Sequence, residues 1–333
     1  MPSNHPLISV VVPSYNRAHL IGATIENILA QTYSNFELIV VDDGSTDDTK
    51  SVAALYLDRI VYIKQENKGI TGARNTGIRA AKGKWIALQD SDDFWEPNKL
   101  EQQVQDLNEN PGLDVYFLEA RLERSHLKKE VCSYKHSGFS QHLRPNGFTV
   151  INRPLHYHIQ YGIAWVQTTL IRKSLLFDVG LYDEWLTLYT DYDLFCRLAL
   201  KGPWGFNPEP LVKIQRVVGD NAYVSAQRTK IPAKSYRNMV YIHEKLTDNN
   251  NLTQKEQQTI SRTLCNNYSA LGNELNREGD IQGARKAFAS ALKHNLKPGA
   301  AIKLALSLFR RHRIISEFRP PLAVPLNSNR ETT

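Results

Sequence analysis

Acidic residues gather at two places where a buried strand would end. Asp90-Ser91-Asp92, followed by Asp93, comes directly after the apolar run Trp85 to Leu88, and Asp42-Asp43-Gly44-Ser45-Thr46-Asp47 comes directly after Phe36 to Val41. Two carboxylates two residues apart can reach one Mg²⁺ or Mn²⁺, directly or through water, because hard cations take oxygen ligands. An aspartate of the second cluster can accept the N3–H of a uracil ring, and Gly44 lets a backbone approach closely. Either cluster alone would serve equally as a helix cap or a solvated turn. Capping does not explain why both strand ends carry one. A third tip, Val12-Pro13-Ser14-Tyr15-Asn16-Arg17, offers Tyr15 as a ring to lie flat against a base. The helix starting near Arg17 or Ala18 offers unpaired amides and a favourable dipole to a phosphate.

The elements that must hold these tips follow from periodicity. Leu7 to Val12 reads as a strand buried on both faces and Ala18 to Gln31 as a helix, with Ile21, Ile25, Ile28 and Leu29 on one side. Phe36 to Val41 closes a β-α-β unit, which implies a right-handed crossover and a parallel pair. Further along come a helix over 50–57 capped by Asp47 or Asp48, a strand over 60–63, a helix over 69–81 and a strand over 85–88. In open parallel sheets ligands gather beyond the carboxyl ends of strands, where all three polar clusters emerge. Pro97 opens a helix striped by Leu100, Val104 and Leu107, and 114–119 reads as a strand. Residues 121–154 are mixed and polar, 164–171 returns to a strand pattern, and 192–200 reads as a helix in which Asp191 would be the N-cap. Beyond about residue 225 the composition turns helical, and Tyr268 to Pro298 has the small/large alternation of one tetratricopeptide-like hairpin. The proline-rich end, 319–333, has few anchors.

Four segments taken in order resemble family 2 glycosyltransferases: ISVVVPSYNR, ILAQTYSNFELIVVDDGSTDDT, ENKGITGARNTGIRAAKGKWIALQDSDDFW and TDYDLFCRLALKG. They cover about residues 7–205. The resemblance implies the GT-A nucleotide-sugar-binding fold, an α/β architecture with a mostly parallel central sheet, here followed by a small α-helical C-terminal region. Its implied limits are a transferase domain over 1–225, a helical extension over 226–318 and a loose tail over 319–333. It implies Tyr15 stacked on the donor base, with Pro13 in the same loop, and Asp43 on the ring edge. Arg74 would line the nucleotide or diphosphate, Asp90 would lie nearer the ribose with Ser91 beside it, and Asp92 and Asp90 would hold Mn²⁺ or Mg²⁺. The family's general base is the aspartate of an acidic pair before a helix, which falls on Asp191, with Asp193 as the fallback. Where relatives carry the first acid of that pair this chain has Thr190, and where many carry a downstream histidine it reads LVKIQRVVGDN, in which Arg216 would still face the diphosphate and Asp220 would substitute near the metal. His156 and His158 have no demonstrable relation to that position. The implied reaction is inverting, metal-dependent transfer of a sugar from a nucleotide diphosphate, usually a UDP-sugar, to a hydroxyl of a glycan or lipid-linked acceptor in surface polysaccharide or glycoconjugate synthesis.

The chain of 333 residues is long enough for a substantial core, and 41% apolar with 23% charged residues is a folded composition. A net charge of +7 favours phosphorylated or anionic partners, but no zinc-finger spacing, helix-turn-helix signature or basic stripe points to nucleic acid. Three scattered cysteines argue against a disulfide framework, and no apolar run reaches membrane-spanning length. A cytoplasmic enzyme is expected, with peripheral contact at the inner face of the membrane and pairing through the C-terminal helices left open. Two other readings compete. A catalytically weak nucleotide- or carbohydrate-binding scaffold is favoured by Thr190. A sugar-1-phosphate nucleotidyltransferase would need a Gly- and Lys-rich loop where this chain has PSYNR.

Overall fold

The computed structural model describes residues 5–124, 129–133, 138–144, 147–216 and 231–294. The chain falls into two compact units, Met1–Ala226 and Gln227–Thr333. In the first unit the expected alternation appears as β1 (Ile8–Ser14), α1 (Ala18–Leu29), β2 (Phe36–Asp42), α2 (Thr49–Ala53), β3 (Val61–Lys64), α3 (Gly69–Ala80) and β4 (Trp85–Leu88). The branched run of β1 is buried throughout. Val10 and Val12 join Ile21, Ile25 and Ile28 of α1 in the main apolar core, as the period of two in a strand requires. Val11 points to the other face, where α3 lies so close that a Cβ on Gly77 would stand 2.2 Å from Val11 Cγ1. The expected helix over 50–57 is interrupted: α2 ends at Ala53 and continues as a 3₁₀ turn over Ala54–Tyr56.

After β4 come β5 (Phe94–Trp95), α4 (Lys99–Glu109), β6 (Val115–Arg124), β7 (Lys129–Cys132), β8 (Thr149–Ile151), α5 (Pro154–Tyr161), β9 (Thr169–Arg172), α6 (Lys173–Asp178), α7 (Thr190–Ala199) and β10 (Trp204–Arg216). The sheet runs β3-β2-β1-β4-β9-β6-β10-β5, with β7 on β6 and β8 on β10. This corrects the mostly parallel expectation. The ladders among β1–β4, and that of β6 with β10, are parallel. Those of β9 with β4 and β6, of β10 with β5 and β8, and of β6 with β7 are antiparallel. The physical reason is that β9 starts beside the exit of β4, pairing Ala87 with Leu170, and runs away from the tips, so it is antiparallel to both β4 and β6, while β6 and β10 run in the same sense as β1–β4. The segment 121–154, left as mixed by its polarity, contributes the end of β6, β7 and β8.

The second unit holds α8 (Pro232–Thr247), α9 (Gln254–Glu278) and α10 (Ile281–His294). Thr253 and Glu256 form a capping box at the start of α9, and Gly279 ends it at φ 88°. The hairpin read from the small/large alternation is formed by α9 and α10. Gly272 makes room for the ring of Phe288, which sits with Leu271, Leu275, Ala284 and Ala287 in one core. Pro298, the last part of the helical extension expected over 226–318 and the tail over 319–333 lie outside the described residues.

Candidate active site

Register brings the tips together. Ser14 lies opposite Asp42 and Val11 opposite Leu88, and Asp43 N donates to Ser14 O at 2.8 Å, so the residues after β1, β2 and β4 leave along one edge of the sheet. Pro13 is a buried member of β1 opposite Val41. Tyr15, just past the strand, is 47% exposed, as a ring offered to a ligand must be. The first two tips are laced together: Asn16 N donates to Ser45 Oγ at 2.9 Å, and Thr46 N to Asn16 Oδ1 at 2.8 Å.

The two acids of the β2 tip divide their work. Asp42 Oδ1 accepts from Ser45 N at 2.8 Å and its other oxygen takes the Tyr62 hydroxyl, so Asp42 holds the turn. Asp43 is buried, and its Oδ1 accepts from Gln65 Nε2 at 2.7 Å and Lys68 N at 2.9 Å. Asp47, one residue before the N-cap Asp48 of α2, ties the starts of two helices together. One oxygen accepts from Thr49 N at 3.0 Å and the other from Ala18 N at 3.0 Å. Because Arg17 N also donates to Thr49 Oγ1 at 2.9 Å, the amides of Arg17 and Ala18 at the start of α1 are already paired within the fold.

At the β4 tip, ligand atoms of Asp90, Asp92 and Asp93 lie within 4.8 Å of one another. The loop is pinned from behind by Thr24 Oγ1 on Ser91 O at 2.8 Å and by Gln89 Nε2 on Asp93 O at 2.6 Å. An oxygen-only, acidic donor set at this spacing suits a hard divalent cation.

Arg74 joins this tip to α7. It is buried in α3 with only 3% of its side chain exposed; its Nη2 is 2.7 Å from Asp90 Oδ1 and its Nη1 2.6 Å from Asp191 Oδ1. Burial alone would lower the pKa of the guanidinium, but Asp191, Tyr182 and Asp90 outweigh it and the net shift is upward, so Arg74 stays charged. The Tyr182 hydroxyl donates to the same Asp191 oxygen at 2.9 Å. Burial first, then the Asp191 carboxylate, push the phenol pKa well up, which keeps its proton in place. Asn75 fixes the backbone of Tyr182 from both sides, donating to its carbonyl and accepting from its N–H at 2.9 Å each.

Asp191 is the second residue of α7, not its N-cap; that position belongs to Tyr189, at φ 62°. Its side chain is 38% exposed, open to a solvent-borne partner while held by Arg74. Asp193 has no such access. It is fully buried and paired with Arg197, Nη2 to Oδ2 at 2.6 Å. Thr190 is buried at the first position of the helix. Arg216 ends β10, and Asp220 lies outside the described residues. His158 stacks on Tyr192 at 5.0 Å between ring centroids, buried among Phe195 and Trp204. Gln167, Tyr182 and Asn75 were not singled out by sequence reasoning. The signal available for Gln167 was a lone amide inside the strand-like run Ala164 to Ile171, whose middle is a 3₁₀ turn over Val166–Thr168.

Residues 9–164 match the family model described as Glycosyl transferase family 2. An uncharacterized glycosyltransferase of Rickettsia prowazekii (strain Madrid E) is 35% identical over 212 residues, 62% of this chain and 63% of that protein. The Escherichia coli UDP-Glc:alpha-D-GlcNAc-diphosphoundecaprenol beta-1,3-glucosyltransferase WfgD is 48% identical over 100 residues, 29% of this chain and 40% of that one. The crystal structure of S. aureus TarS 1-349 in complex with UDP is similar at a TM-score of 0.65 and 18% identity, over 90% of this chain and 88% of that one. The chain thus spans less than two thirds of the length of these curated relatives. Residues 9–164 resemble a glycosyl transferase family 2 domain, and the chain shares the α/β fold of the solved structure.

Proposed function

We propose that a chain carrying this domain transfers a glycosyl group from a nucleoside diphosphate, most simply a UDP-sugar, to a hydroxyl of a glycan or lipid-linked acceptor. The observation that carries the reading is the single guanidinium of Arg74 spanning Asp90, in the acid cluster at the strand tips, and Asp191, half-open at the start of a helix. That arrangement sets a donor side and an acceptor side on the two nitrogens of one guanidinium. The UDP bound to TarS, and the UDP-Glc and diphosphoundecaprenol-linked acceptor in the name of the E. coli relative, support the same chemistry.

In this reading Tyr15 lies against the base, Asp43 accepts from its ring edge, Pro13 and Ser91 shape the walls, and Asp90 holds the ribose. Asp92 with Asp90 would hold Mn²⁺ or Mg²⁺, which neutralises charge on the departing diphosphate when bound. Asp191 takes the proton of the acceptor hydroxyl as its oxygen attacks C1 of the sugar, worth on the order of 10²–10⁴ in rate. Displacement on the face opposite the leaving group inverts the anomeric carbon. The catalytic part is a GT-A domain over 1–225. The helices α8, α9 and α10 would belong to a tetratricopeptide-like extension suited to pairing two copies. Among the described residues no helix is long and apolar enough to cross a membrane. The basic charge supports a cytoplasmic protein held peripherally at the inner face of a membrane by electrostatics.

A thermal-shift and transfer screen of nucleotide sugars with Mn²⁺ and Mg²⁺ tests the proposal. Metal-dependent stabilisation by a UDP-sugar is expected, and Asp92→Ala should weaken it. Thr190 favours one rival, a binding scaffold; tight UDP binding with no hydrolysis or transfer of any donor would choose it.

A further inference from the structure

Between two of the three crowded carboxylates stands a neutral side chain. Gln167 Nε2 lies 2.7 Å from Asp90 Oδ2 and 2.7 Å from Asp93 Oδ2. A primary amide nitrogen carries two N–H bonds, so one can go to each acid. The opposite amide orientation would set a carbonyl oxygen against both carboxylates, which fixes the assignment on electrostatic grounds. The side chain is buried, and its Oε1 has no hydrogen-bond partner, so the residue spends its donors on the acids and leaves its acceptor unmet.

The turn that presents Gln167 is stiff. Thr168 Oγ1 donates to Trp165 O at 2.8 Å, Thr169 Oγ1 to Val166 O at 2.8 Å, and Gln103 Nε2 to Thr168 O at 3.1 Å. The antiparallel pairing of β9 with β4 puts this turn across the exit of β4, beside Asp90. Asp90 is therefore held at both oxygens, by Arg74 on Oδ1 and by Gln167 on Oδ2.

We propose that Gln167 is a positioning residue for the divalent-cation site: its amide ties Asp90 to Asp93 and keeps the acid cluster in a cation-ready spacing that the charges alone would push apart. This rests on reading the cluster as a cation site, and it adds a residue that neither the aspartate pair nor the strand tips supply. Removing the two donors lets Asp90 and Asp93 repel. Replacing them with a carboxylate adds a further negative charge, which harms the metal-free cluster and gives a cation more charge to hold.

The test uses the full chain, stripped with chelator at pH 8, with Mn²⁺ alone as probe and two readouts: melting temperature and Mn²⁺ Kd by electron paramagnetic resonance. Gln167→Met, similar in volume but without donors, should weaken Mn²⁺ binding about tenfold or more, the usual cost of removing a partner that orients a ligand. Gln167→Glu should melt lower without metal, by about 4 °C or more, then gain more from Mn²⁺ than the wild type does, with a Kd no weaker. If both variants bind Mn²⁺ like the wild type, or both weaken it equally, Gln167 is a packing residue and the proposal falls. A wild type that binds no Mn²⁺ removes the cation reading with it. A wild type that shows the contrast yet transfers no sugar from any donor sinks the transferase reading and leaves the amide tie standing.

Discussion

Arg74 must satisfy two carboxylates that lie 16 and 117 positions away in sequence, and it divides its terminal nitrogens between them. A lysine could keep the charge but not the fork. Arg74→Lys is therefore expected to lose transfer by about tenfold or more while keeping UDP affinity within a few-fold, whereas Arg74→Ala, which leaves two part-exposed acids without their counter-charge, should also cost about 1–3 kcal/mol of stability. Steady-state kinetics beside a urea titration separate the two. The neighbouring acids of α7 make a sharper pair. Asp191→Asn should keep donor binding yet depress transfer by about 10² or more, and because it removes the largest counter-charge of buried Arg74 it should also lower the melting temperature. Asp193→Asn breaks a buried ion pair with Arg197, so it should lower the melting temperature and leave donor affinity alone. Equal kinetic losses in both would remove Asp191 from its assigned role. Acids at strand ends could be read from sequence because two strand ends each carry a cluster, which capping alone does not explain. The residues that aim them, Gln167 and Tyr182, could not: an amide and a phenol occur anywhere, and their meaning comes from the antiparallel return of β9 and from the grip of Asn75 on Tyr182.

The elements that position Arg74 depend on close approach. Gly77 is three residues further along α3, and an added Cβ would meet Val11 and Val41 of the central strands. Both valines are fully buried, so the helix would have to lift away. Gly77→Ala is expected to cost about 1–3 kcal/mol as an overpacked contact. Because α3 carries Arg74, transfer should fall further than the unfolded fraction explains, which activity measured well below the melting point would reveal. The first four strands and their helices were legible because apolar periods of two and 3.6 dominate their sequences. β10 was not: its run from Trp204 to Arg216 contains Asn207, Pro208, Glu209 and Pro210, and its register against β6 shifts at those residues. Polar and proline residues inside a strand mark such irregularities and break the alternation by which a strand is recognised. The short helices α5 and α6 are too brief to show a period at all.

At the scale of the whole molecule, two compact units with separate cores should answer to different variables. The first is expected to respond to donor and cation. A ligand at a hundredfold excess over Kd adds about 2.7 kcal/mol to the unit that binds it, a rise of roughly 5–10 °C in a domain of this size. The second carries His243, buried in α8 with its Nδ1 against Met239 O at 2.6 Å, and burial pushes its pKa down from 6.5 to about 4. Above pH 6.5 the imidazole is neutral whether this unit is folded or not, and no penalty arises. Between about 6.5 and 4 the unfolded chain takes up a proton that the fold refuses, so stability falls as the pH falls, and below about 4 the loss is complete at an order of 3 kcal/mol. Calorimetry of the full chain should then show two transitions: one raised by UDP-sugar with Mn²⁺ and indifferent to His243, the other lowered between pH 6.5 and 4 and indifferent to the donor. His243→Gln should flatten only the acid dependence of the second. A single transition moved by both variables would mean that the helices unfold with the sheet, and the extension would have to be treated as part of the catalytic fold.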